Sequence, residues 1–233
     1  MNDLKLIKLP DEFPDQEFKS FMESSKSILL ANKGSAWVEF GGATNLIAWR
    51  FRSCYEEMQE YRKSWFDYGF DIPFEEIYRR DKQLFGMFTS GVSCIESVCY
   101  SLYALASHPN VLAIPFGDKE QRRCNPKSLM HALSSHDLAK PLYITLNSII
   151  GSDEWKLWVD LRNRMTHRSN LPRIIRGAVG SSPPPGKALQ FAKTSSTPSF
   201  EEDEEHLEYL FSWLAESLRS LLIGGHNLVS NNP

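Results

Sequence analysis

The longest regular pattern of apolar positions runs from Glu75 to about Ser107, where Ile77, Leu84, Phe88, Val92, Ile95, Cys99, Leu102 and Ala106 recur mostly three or four apart. That spacing gathers them into one stripe of a long α-helix. Asp71 and Pro73 supply its start signals and Pro109-Asn110 its stop. A second long helix is expected from about Asn45 to Tyr68, with Leu46, Trp49, Tyr55, Met58 and Trp65 as inward candidates. Asp15 to about Asn32 reads as another, ended by Lys33-Gly34, and shorter helices are expected over 126–135 and 138–150. Ser152 caps a helix beginning at Asp153, whose apolar face is Trp158, Leu161 and Met165. The last helix opens after Ser199, with Glu202 completing a capping box, and runs to Ile223 before Gly224-Gly225.

Strand signals are few. "AWVEF" (36–40), "RIIRG" (173–177) and "ALQFA" (188–192) could form short strands, but no large sheet is foreshadowed. The expected fold is therefore all-α: an antiparallel helical bundle with a small irregular or β-hairpin excursion before the last helix. A chain of 233 residues with 42% hydrophobic content has ample material for such a core. The opening "MNDLKLIKLPDEF" has neither a basic nor an apolar signal region, and no apolar run reaches membrane-spanning length. Cys54, Cys94, Cys99 and Cys124 lack paired short spacing and read as reduced thiols. These features point to a soluble, cytoplasmic protein without a membrane partner.

Charge is distributed unevenly. The net value of −3 divides into −4 over residues 1–161, +7 over 162–193 and −6 over 194–233. Arg162, Arg164, Arg168, Arg173, Arg176, Lys187 and Lys193 carry the central stretch without a single Asp or Glu. Most of it lies in a Pro, Gly and Ser-rich connection of more than thirty residues containing "GSSPPPG". Connections of that length inside a domain tend to be functional or disordered. A solvated loop is the bland reading. A polyanion site is the other, because clustered arginines meet phosphate by charge and by paired hydrogen bonds.

Just before that stretch stands "WVDLRNRMTHRSNLPR" (158–173). At about 100° per residue, Asn163 and His167 share one helical face, while Arg162 lies about 140° from His167. Histidine moves protons near neutral pH, and arginine presents a rigid cationic fork to a phosphate gathering charge. Spacing alone favours a plainer account, in which His167 compensates the helix dipole while Asn163 and Arg164 are solvated.

Arg162-Asn163-Arg164-Met165-Thr166-His167 resembles the Arg-polar-x-x-x-His signature of the HEPN superfamily (higher eukaryotes and prokaryotes nucleotide-binding domain), in its Arg-Asn form. The setting is similar too: a late helix of an all-α chain, followed by one final helix. The resemblance covers about residues 75 to 222. It implies a HEPN-like bundle over 71–225, preceded by an N-terminal helical extension over 1–70 and interrupted by a basic insertion over 168–200. The long extension and the insertion depart from a minimal HEPN domain.

What the resemblance further implies is a metal-independent endoribonuclease with no cofactor. Such an enzyme cleaves single-stranded RNA by attack of the ribose 2′-hydroxyl and leaves a 2′,3′-cyclic phosphate. It implies a homodimer with a composite cleft, in a toxin, defence or stress-response role, with an antitoxin or regulatory protein as a further partner. His167 would transfer protons, Arg162 would stabilise the phosphorane and Asn163 would position the phosphate or the imidazole. Charge and proximity add Arg164, Arg168, Arg173 and Arg176 as contacts to the RNA backbone. The alternative is a non-catalytic HEPN module that binds nucleotide, RNA or a protein through the same surface. With the resemblance and the acid-free run together, catalysis stands in front.

Smaller features complete the reading. Glu96 flanks the stripe of the longest helix and could reach a cation such as Arg162, either as a supporting group or as an edge-of-core ion pair. The run Glu201 to Glu205 could compensate the start of the last helix or fold over the basic stretch. Cys124, His131 and His136 have only a loose ligand-like spacing, and Cys94 and Cys99 are expected to pack in the core.

Overall fold

The computed structural model describes residues 8–31, 35–69, 73–167, 173–175, 189–191 and 204–230. Among these residues the chain forms eight α-helices and one small hairpin. They are α1 (Asp15–Ala31), α2 (Ser35–Tyr68), α3 (Phe74–Ala106), α4 (Asp118–Arg123), α5 (Pro126–Leu133), α6 (Lys140–Gly151), α7 (Asp153–His167) and α8 (Glu204–Ser230). The hairpin pairs β1 (Arg173–Ile175) with β2 (Leu189–Phe191), antiparallel, with Ile174 opposite Gln190. The all-α bundle with a small excursion is what the chain adopts, and both strands fall where β-branched and aromatic residues marked them.

The long α2 and α3 form an antiparallel pair at the centre. Tyr100 donates to Glu39 at one end, Ser90 donates to Ser53 midway, and Arg80 donates to Ser64 at the other. α2 is longer than its pattern suggested and absorbs 36–40, the segment expected as a strand. The reason is a stripe that starts earlier: Phe40, Ala43, Ile47, Phe51, Cys54, Met58 and Tyr61 are all buried at spacings of three and four. Phe40 meets Phe21 of α1 at 5.5 Å between ring centroids, and Thr44 returns its hydroxyl to the Phe40 carbonyl. Packing of this kind outweighs the roughly 1 kcal/mol that each of Gly41 and Gly42 costs a helix. The inward face is also rotated from the expected one. Leu46 and Trp49 are 43% and 64% exposed, whereas Met58 is buried as expected.

α8 passes through Gly224-Gly225 instead of stopping at Ile223, and continues to Ser230. The glycines are there for closeness. A Cβ on Gly225 would lie 2.6 Å from Leu102 and Phe21, and one on Gly224 would lie 2.8 Å from Leu142. The expected start after Ser199 lies outside the described residues. The three-residue turn Asp137–Ala139 is 3-10 in form and leads into α6. α4 was not foreshadowed by any apolar period.

One apolar cluster links α1, α2, α3, α5, α6, α7 and α8. Within it α7 lies against α3 at a point where only glycine fits, since a Cβ on Gly91 would be 2.4 Å from the Trp158 ring. Phe88 meets that ring edge-on at 4.9 Å. Among the described residues no helix is long and apolar enough to cross a membrane.

Candidate functional site

α7 begins at Ser152, whose hydroxyl accepts the Trp155 amide at 3.1 Å, satisfying one of the free N–H groups of the first turn. Trp155, Leu157, Trp158 and Leu161 are buried, and Met165 packs at the margin of the core. Contacts to α3 advance together: Trp158 lies on Phe88 and Gly91, and Arg162, one turn later, reaches Glu96. α7 thus runs in the same sense as α3, and its motif is carried towards the C-terminal half of that helix.

Arg162 is fixed by this geometry at the edge of the core, with its side chain 26% exposed. Its Nη2 stands 3.5 Å from Oε1 of Glu96, at the outer limit of a hydrogen bond. Its Nε is buried without a hydrogen-bond partner among the described residues. Asn163 and Arg164 are half-buried, and His167, the last residue of α7, is exposed. Thr166 turns its hydroxyl back to the Arg162 carbonyl at 2.7 Å.

The structure therefore brings together Arg162 and Glu96, but it does not join Arg162 to His167 directly. Five residues of helix separate them by about 7.5 Å along the axis and about 140° around it. Arg173 is the first residue of β1, with its backbone opposite Phe191. Arg168 and Arg176 lie outside the described residues, as do Glu201 and Glu202 of the acidic run.

Around Glu96 the fold assembles residues that sequence reasoning did not connect to the motif. Tyr100, one turn further along α3, donates its hydroxyl to Glu39 at 2.7 Å, and burial together with that bond pushes the phenol up. Phe116 packs on Tyr100 and Tyr103, with ring centroids 5.4 and 5.3 Å apart, and so anchors the start of α4 on α3. Burial pushes the Cys124 thiol up to about 12, and the nearby Glu96 carboxylate adds to the shift. Cys54, Cys94 and Cys99 are buried free thiols, in keeping with packing roles. Among the described residues no group of three or more His, Cys, Asp and Glu could hold a metal ion, and Cys124, His131 and His136 are not gathered into one. The signal that could have found this neighbourhood was the aromatic triplet Tyr100, Tyr103 and Phe116, which no periodicity links.

Compared with known proteins, the chain matches no family model, no curated protein and no solved structure.

Proposed function

We propose that the chain is a metal-independent endoribonuclease of the HEPN type that cleaves single-stranded RNA, with its site at the C-terminal end of α7. The observation that carries this reading is the state of Arg162. It is held at the edge of the core by α7, yet among the described residues its buried Nε has no partner and its contact to Glu96 is 3.5 Å long. A guanidinium with donors to spare, in an Arg-Asn-x-x-x-His sequence that runs into an acid-free basic stretch, suits a phosphate. In the reaction the ribose 2′-oxygen bonds to phosphorus and the bond to the 5′-oxygen breaks. A proton leaves the 2′-hydroxyl and one is supplied to the departing 5′-oxygen. His167 serves this transfer, Arg162 offsets the charge of the phosphorane, and Asn163 orients the phosphate or the imidazole.

The angular separation of Arg162 and His167 on one helix is the reason to place the working site in a homodimer, where motif side chains of two copies share one cleft. The same separation favours the second reading, a HEPN module that binds RNA, nucleotide or a protein partner without cleaving. A toxin, defence or stress-response role, with an antitoxin or regulatory partner, belongs to the first reading.

The test is cleavage of a labelled single-stranded oligoribonucleotide in EDTA, beside the same oligonucleotide with 2′-deoxyribose throughout. Products ending in 2′,3′-cyclic phosphate, with the deoxy strand intact, are expected. Binding of RNA without cleavage would transfer the case to the non-catalytic module, and neither binding nor cleavage would end the HEPN reading.

A further inference from the structure

The corner between α4 and α5 carries Arg122, Arg123 and Lys127, all exposed, and none of them makes an ion pair among the described residues. Its position follows from contacts at either end. Phe116 is clamped on Tyr100 and Tyr103, and Gln121 in the middle of α4 donates to the Phe116 carbonyl at 3.2 Å, which ties the helix to that anchor. At the far end Pro126 and Leu129 of α5 are buried in the bundle. Tyr100 is one turn of α3, about 6 Å, beyond Glu96, the residue that meets Arg162. Since α7 advances along α3 in the same sense, the stretch from Arg162 to His167 travels towards the level of Tyr100 and this corner.

The corner's own acids, three and four residues before its arginines on α4, do not pair with them among the described residues. Asp118 and Glu120 occupy the first turn of α4, and Glu120 accepts the Gly117 amide at 3.1 Å. Arg122 and Arg123 occupy the last turn. Lys127 follows in the first turn of α5, whose N-cap Asn125 accepts the Ser128 amide at 3.0 Å. The positive end of the α5 dipole adds to the same side. Three cations without carboxylate partners among the described residues leave a local positive field that a strand of phosphates would neutralise.

We propose that the α4–α5 corner, through Arg122, Arg123 and Lys127, is a second phosphate-binding surface of the α7 site, gripping the backbone of single-stranded RNA beside the nucleotide held at Arg162. It rests on the reading of the chain as an RNA-binding HEPN protein and extends that reading to residues outside the motif and outside the basic insertion. Contacts of this kind position the strand without reading its bases.

The experiment measures binding of a fluorescent 2′-O-methyl oligoribonucleotide, which cannot be cleaved, across a salt series. The proteins are the native chain, Arg122→Glu/Arg123→Glu, the charge-neutral Arg122→Gln/Arg123→Gln, Lys127→Gln, and the control Lys63→Gln on α2. Thermal unfolding accompanies each. Affinity is expected to fall at least tenfold in the charge reversal. The slope of log affinity against log salt should shrink by about 0.7 for each cation removed, with Lys63→Gln within twofold of native. Native binding with unchanged affinity and slope in the Gln and Glu variants would overturn this inference and leave the α7 reading standing. No binding by the native protein would overturn both.

Discussion

Two arginines meet the central helix pair in opposite conditions. Arg80, near the start of α3, is 2% exposed. Its Nε donates to the Ser64 hydroxyl at 2.9 Å, and its two terminal nitrogens donate to the carbonyls of Ser64 and Gly69 at 2.7 and 3.1 Å. Its guanidinium carbon lies 4.1 Å from the centre of the Trp65 ring. These bonds tie α3 to the last turns of α2 and to the Gly69 carbonyl that follows it. Arg162, further along and on the other flank of α3, has among the described residues only a carboxylate at 3.5 Å and an Nε without a partner. The first is saturated by its own protein and serves structure. The second is placed with equal definiteness but left with capacity, which the fold tolerates only at some cost. That difference separates the two kinds of cation better than burial or charge.

The comparison can be broken at either arginine. Its largest effect is expected at the motif: Arg162→Ala and His167→Ala should each lower RNA cleavage at least 100-fold, with a thermal midpoint close to native. A fully active Arg162→Ala would place that residue with Arg80 among structural cations. Next is Arg80→Met, which removes the donors to the Ser64 hydroxyl and to the Ser64 and Gly69 carbonyls. It should cost about 3 kcal/mol in denaturant unfolding, with cleavage per folded molecule unchanged. Glu96→Gln is smaller. A loose, partly exposed ion pair is worth up to about 1 kcal/mol, so a larger loss of stability would show that Glu96 and Arg162 form a structural clamp after all.

The smallest effect concerns His108, buried at the end of α3, whose Nδ1 accepts the Asn110 amide at 3.2 Å. Burial lowers its pKa from the ordinary 6.5. The unfolded chain therefore takes up a proton near pH 6.5 that the folded chain refuses, and stability falls as pH drops through that window and is constant above it. In His108→Asn the part of this slope between pH 6.5 and 5 should flatten.

How far such features could be read in advance depended on how local they are. The stripe of α3 was visible because one residue in every three or four is apolar over eight turns. The start of α2 was hidden because Gly41-Gly42 resembles a break and Phe40 reveals its role only against Phe21. Gly224-Gly225 misled in the same manner, as its meaning lies in Leu102, Phe21 and Leu142. The Arg162-Asn163-x-x-x-His167 pattern stood out by its resemblance to a family signature, since spacing alone favoured a plain helix end, and Glu96 beside the α3 stripe was already a candidate partner for Arg162. What stayed hidden was the neighbourhood beyond Glu96, because the Phe116 anchor depends on two tyrosines a turn apart on another helix. Local periodicity marks where a helix faces its core. It is silent on which distant polar groups are left incomplete there.

The central claim is that Arg162 and His167 serve one anion site. The most direct measurement follows the Nε–H resonance of Arg162 and the imidazole C–H resonances of His167 by NMR while a 2′-O-methyl oligoribonucleotide is added. The account predicts that both move and saturate with a single Kd. It is contradicted if the oligonucleotide binds while the two resonances stay in place, or if they move with different affinities.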